Sequence, residues 1–61
     1  MKPLKFGTVY FTSALRDSGW FVQPDLFDKK QVQIVDKHGK VGYQAFAVTD
    51  EVYRITKQEV G

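Results

Sequence analysis

Cysteine is absent from this 61-residue chain, which excludes disulfides, thiolate metal sites and a thiol nucleophile. Histidine occurs once, as His38, in a segment that reads as a turn. A lone turn histidine is a poor start for proton transfer or metal binding. Ser13 and Ser18 sit in connectors with no histidine nearby in sequence, so their expected work is capping and turning. The glycines stand singly, which excludes a glycine-rich phosphate loop. Asp25 and Asp28 do not follow the alternating oxygen ligands of a calcium loop; a cap and a solvated turn are expected there. No catalytic group, metal or cofactor is expected, and the chain reads as no enzyme.

Long apolar runs are missing too. None approaches the ~20 residues that a membrane span requires, and Met1-Lys-Pro-Leu-Lys5 lacks the apolar stretch of a secretion signal. A cytoplasmic location without membrane is the default expectation. A start at Met1 that runs directly into a strand-like segment reads as a complete small gene product of one domain, residues 1–61.

Charge of one sign is also scarce. The net charge is +2, and Lys and Arg are scattered among Asp and Glu. Nucleic-acid-binding domains of this size usually cluster more positive charge on one face. Here the densest basic group is Lys37-His38-Gly39-Lys40.

What the chain does have is aromatics, 15% of its residues. Buried rings contribute roughly 150–250 Å² each, and a domain this short buries only roughly 60% of its unfolded surface. A monomer held by aromatics, or a symmetric homodimer, is therefore expected.

Residues 4–11 alternate, with Leu4, Phe6, Thr8 and Tyr10 on one face and Val9 and Phe11 on the other. Gly7 marks a bulge or a close backbone approach. Residues 12–19 form a connector in which Thr12 or Ser13 caps one helical turn. Trp20 to Gln23 is a short strand stopped by Pro24, and Leu26 and Phe27 are expected to plug one end of the core.

Residues 31–36 and 40–48 form a hairpin. An even loop puts Asp36 opposite Val41, Ile34 opposite Tyr43 and Val32 opposite Ala45, gathering the apolar side chains on one face. A three-residue loop pairs Val32 with Gln44 and Ile34 with Gly42, which mixes the faces. Gly39 supplies a positive φ, which His38 also tolerates. Residues 49–60 suit a short turn at 49–51 followed by a strand with Tyr53 and Ile55 inward. The alternative is a C-terminal helix at 49–60, capped by Thr49 and ended at Gly61.

The fold class is mostly β: a small antiparallel five-stranded barrel with one or two single-turn helices, or in the alternative a sheet with a C-terminal helix. The order of hairpin, short helical corner Val48-Thr-Asp-Glu51 and strand Val52-Tyr-Arg-Ile-Thr56 resembles the end of an SH3-like barrel. The resemblance is architectural and covers residues 31–56. The peptide-binding motifs of signalling SH3 domains are missing, so their ligand is not implied, and the fold alone does not decide function. The expected core is Leu4, Phe6, Val9, Val22, Leu26, Val32, Ile34, Val41, Tyr43, Ala45, Val48, Tyr53 and Ile55.

Two functions fit. The first is docking on a partner protein, as a small regulator or inhibitor of the kind phages make against host enzymes. Its expected contacts are Trp20, Phe21 and Arg16 near one loop, and Phe46 with Gln33 and Gln44 on the outward hairpin face. The second is nucleic-acid binding through Lys5, Tyr10, Lys37, Lys40 and Arg54, with bases stacking on rings.

Overall fold

The computed structural model describes residues 2–59; the helix stop read at Gly61 lies outside them. The strands are β1 (Val9–Phe11), β2 (Phe21–Pro24), β3 (Gln31–Val35), β4 (Val41–Ala47) and β5 (Val52–Gln58), with one helix, α1 (Thr12–Asp17). They form one antiparallel sheet in the order β1-β5-β4-β3-β2, curled into a half-barrel. Its edges, β1 and β2, are both contacted by α1.

The inward face follows from alternation. Val32 and Ile34 of β3, Tyr43 and Ala45 of β4, and Tyr53 and Ile55 of β5 are all buried. Ile34 lies opposite Tyr43 and Val32 opposite Ala45, the pairing that the apolar pattern requires. The route to it differs from the even loop. Asp36 N–H donates to Lys40 O (2.9 Å) and Gly39 N–H to Asp36 O (3.0 Å), and Gly39 has φ +82°. The loop is therefore Lys37-His38-Gly39, three residues, with His38 at negative φ. Val35, not Asp36, faces Val41, and the register then shifts between Ile34 and Val35. Gly42 is the extra residue of that bulge. One bulge restores the facing that an odd loop inverts.

The Asp36 side chain fixes the loop. Its carboxylate accepts from His38 N–H (2.8 Å) and Lys40 N–H (2.9 Å). The hydrogen bond from the Lys40 amide, followed by that from His38, holds its pKa below the ordinary 3.8. A depressed carboxyl contributes stability above the unfolded-state pKa and loses it as pH falls through the folded one. Asp36→Ala is therefore expected to flatten the acid limb of a melting-temperature profile below about pH 4. An acid limb identical to wild type would show that the carboxylate does not hold the loop.

The N-terminal segment departs from the expected long strand. Thr8 N–H donates to Lys5 O (3.2 Å) and Gly7 has φ +78°, so a turn separates Leu4 from β1. Phe6 consequently lies in solvent, and Val9 faces outward. Residues 2–5 form a strap pinned by aromatic tips. Trp20 Nε1 donates to Lys2 O (2.7 Å), Leu4 N–H to the Tyr43 hydroxyl (2.9 Å) and Lys5 N–H to the Tyr10 hydroxyl (2.9 Å).

Helix α1 has no side-chain cap; Phe11 holds the cap position. The Thr12 hydroxyl donates instead to Glu51 O (3.2 Å), as does its N–H (3.0 Å), tying α1 to the β4–β5 corner. That corner bends without forming a helix, and Tyr53 closes it by donating its hydroxyl to Asp50 O (2.8 Å).

The core cluster is Leu4, Leu15, Trp20, Val32, Ile34, Tyr43, Ala45, Tyr53 and Ile55. Leu15 and Trp20 belong to the core, whereas Leu26 and Phe27, expected to plug one end of it, stand in solvent. Val48 is also exposed, and Val22 and Val41 are half-buried.

Candidate protein-binding face

Residues opposite one another across an antiparallel pair share a face, so the register lays out the outward side. Val9 faces Arg54, Arg54 faces Phe46, and Phe46 faces Gln31. The next row is Lys57, Gln44, Gln33 and Gln23. Phe11 opposes Val52 at one end, and Phe21, Val35 and Val41 are neighbours at the other. The paired positions of this outward side carry no Asp or Glu.

Two apolar groups thus flank a band of glutamines. Phe46, Phe11, Phe21 and Val9 are all exposed, Phe11 most at 62%. Val35 is buried outside the core cluster, with Phe21 and Val41 as its cross-strand neighbours. In the band, Gln31 Nε2 donates to Gln44 Oε1 (3.3 Å). Arg54 sits between Val9 and Phe46. Among the described residues the one ion pair is Lys57 with Glu59 (3.4 Å), so the Arg54 guanidinium keeps its donors for solvent or a ligand.

Of the residues read as protein contacts, Phe46, Gln33, Gln44 and Phe21 do come together on this side. Arg16 lies on α1, beside a shallow depression that it lines with Phe11, Asp50 and Glu51. Trp20 is a correction: it is 7% exposed and belongs to the core. Its ring meets Tyr43 edge to face (5.2 Å between centroids, 78°), and its indole N–H is engaged by the strap. The sequence signal that it was needed inside was the shortage of large apolar groups in a chain this short.

The residues read as nucleic-acid contacts occupy separate elements. Lys5 is on the strap, Lys37 is in the β3–β4 loop with Lys40 just after it, and Arg54 is on the outward side of β5. Tyr10 is half-buried, on the face opposite to Arg54, and its hydroxyl accepts from Lys5. His38 is exposed in its loop. Among the described residues no group of three or more His, Cys, Asp or Glu is placed to hold a metal ion.

Missed from the sequence were Val9 and Phe11 as members of the face. The alternation of residues 9–11 carried that signal, since Phe11 and Tyr10 must point to opposite sides. Comparison with known protein families, curated proteins and solved structures finds no match for this chain.

Proposed function

We propose that the protein is a non-enzymatic binding module, a small regulator or inhibitor, that docks on a partner protein through the outward side of its sheet. We read the half-barrel as SH3-like in the order of its last three strands. The carrying observation is the juxtaposition of Arg54 with Phe46 and Val9 beside the glutamine band. Interfaces concentrate their energy in aromatic and Arg side chains surrounded by polar groups that keep water out. Glutamine amides both donate and accept, so the band can satisfy a partner's backbone or side chains without burying a charge.

The test is capture of a partner from extract of the source cells, followed by titration with the purified partner. Phe46→Ala and Arg54→Ala are each expected to weaken binding by about tenfold or more, the mark of an interface hot spot. Lys37→Ala, at the hairpin tip, is expected to leave it unchanged. Surface substitutions of this kind shift stability by within about 0.5 kcal/mol, so melting temperatures should match wild type. Binding indifferent to Phe46 and Arg54 would refute the face. Binding to a mixed-sequence single strand that falls steeply with salt would favour the nucleic-acid reading instead.

A further inference from the structure

We infer that the β2–β3 loop, residues 25–30, anchors this interface, and that the partner protein offers an apolar socket with an acidic lip. The inference rests on the protein-binding reading above. Its origin is the placement of Leu26 and Phe27, which are 94% and 97% exposed, the most exposed large hydrophobic side chains among the described residues. Single exposed apolar residues are ordinary. An adjacent Leu-Phe pair held wholly in solvent is not, where the core cluster has nine buried members among the described residues.

The loop presents this pair in a set geometry. Asp25 Oδ1 accepts from Phe27 N–H (2.7 Å), and Asp28 Oδ1 accepts from Lys30 N–H (2.9 Å). Backbone bonds close the loop's base, with Asp25 N–H on Gln31 O (3.2 Å) and Ala47 N–H on Lys30 O (2.7 Å). Two Asx turns thus order the backbone before binding, which reduces the entropy lost on docking. The loop is also continuous with the face. Leu26 and Phe27 line one shallow depression with Gln23 and Gln33 of the glutamine band.

Charge indicates the lip. Both carboxylates are engaged by the loop's own amides, whereas the Lys29 and Lys30 ammonium groups are exposed and outside the one ion pair of the described residues. A partner that meets the Leu-Phe pair with apolar walls therefore meets two cations at the rim, and carboxylates suit them. A second copy fits less well. The more apolar depression on this chain is lined by Phe21, Asp36, Lys37 and His38; its one carboxylate already accepts from the His38 and Lys40 amides, and Lys37 would stand against Lys29 and Lys30. An anionic lipid surface would meet the same two lysines, and the vesicle measurement below distinguishes it.

The test replaces Phe27 with the photo-crosslinker p-benzoylphenylalanine and irradiates the full chain in extract of the source cells. The crosslinked protein is identified, purified and titrated with the variants. Expected is a crosslink mapping to an apolar site bordered by Asp or Glu. Leu26→Ser with Phe27→Ser should then weaken binding at least tenfold, and Lys29→Glu with Lys30→Glu should weaken it and flatten its salt dependence. Unchanged melting temperatures are expected, since none of these side chains packs inside. Undiminished binding by Leu26→Ser/Phe27→Ser, while Phe46→Ala still weakens it, overturns the anchor and leaves the face. The reverse pattern overturns the face and leaves the anchor. The anchor also falls if the double variant abolishes a concentration-dependent dimer, or co-sedimentation with phosphatidylcholine–phosphatidylserine vesicles.

Discussion

Tyr43→Ala is expected to leave the chain without a cooperative thermal transition. Tyr43 is buried at the centre of β4, opposite Ile34 on one side and paired with Gln58 on the other. Its ring and that of Trp20 form a T-shaped pair, and its hydroxyl holds Leu4 N–H at 2.9 Å. Emptying a buried aromatic site costs about 3–5 kcal/mol. Folded domains are stable by about 5–15 kcal/mol, and small ones without disulfides or metals lie at or below the low end. The loss is therefore comparable with the whole stability. Tyr43→Phe separates the two contributions, because it keeps the ring and removes only the acceptor for Leu4 N–H. A buried donor left unpaired costs about 1–3 kcal/mol, so that variant should fold with a lowered midpoint and a looser strap. Near-ultraviolet circular dichroism during heating reads both. A cooperative Tyr43→Ala transition near the wild-type midpoint would show that the core is not organised around this ring.

Much of this was legible in the sequence, and the reason is the period of the strands. Val32, Ile34, Tyr43, Ala45, Tyr53 and Ile55 sit at alternate positions within three consecutive strands, and all six are buried. The same period put Gln33, Gln44 and Phe46 outside. For residues 49–60, the choice of a turn at 49–51 followed by a strand over a helix drew on Tyr53 and Ile55 sharing a face, and β5 confirms the strand. Illegible were the places where the chain leaves that period. The Lys5–Thr8 turn depends on a positive φ at Gly7, which glycine permits but does not impose. Without that turn, Leu4, Phe6 and Tyr10 read as one stripe. The inversion of Trp20 with Leu26 and Phe27 has a tertiary cause. Leu15 and Trp20 reach the core from α1 and the turn after it, where Trp20 N–H donates to Leu15 O (2.8 Å). Leu26 and Phe27 follow β2 at its other end, past Pro24, and stand in solvent. Apolar character alone does not separate a core plug from an exposed pair, which is why the candidate anchor was read as core.

Gly42→Ala is expected to destabilise the protein, against the usual direction for glycine within a strand. At a position without positive φ, Gly→Ala ordinarily stabilises by about 0.4–1 kcal/mol through the unfolded chain, and Gly42 has no positive φ. Here a Cβ would lie 2.6 Å from Cζ3 and 2.7 Å from Cη2 of Trp20, well inside van der Waals contact. The ring has little room to retreat. Its Nε1 donates to Lys2 O at 2.7 Å and it packs against Tyr43 in a T-shaped pair, so any shift disturbs the strap or the core. Overpacking of this kind costs about 1–3 kcal/mol, which outweighs the entropic gain. Gly42 is thus required by the indole above it and not by its backbone angles, and the bulge and Trp20 form one device. A double-mutant cycle tests that coupling. Trp20→Phe alone loses packing and the bond to Lys2 O, but the smaller ring vacates the space that the new methyl group needs. Urea midpoints should show Gly42→Ala with Trp20→Phe less destabilised than the sum of the single variants, by about 1 kcal/mol or more, as expected for residues in direct contact. Strict additivity would mean that the bulge accommodates a side chain without the ring, and that Trp20 and Gly42 are neighbours by circumstance.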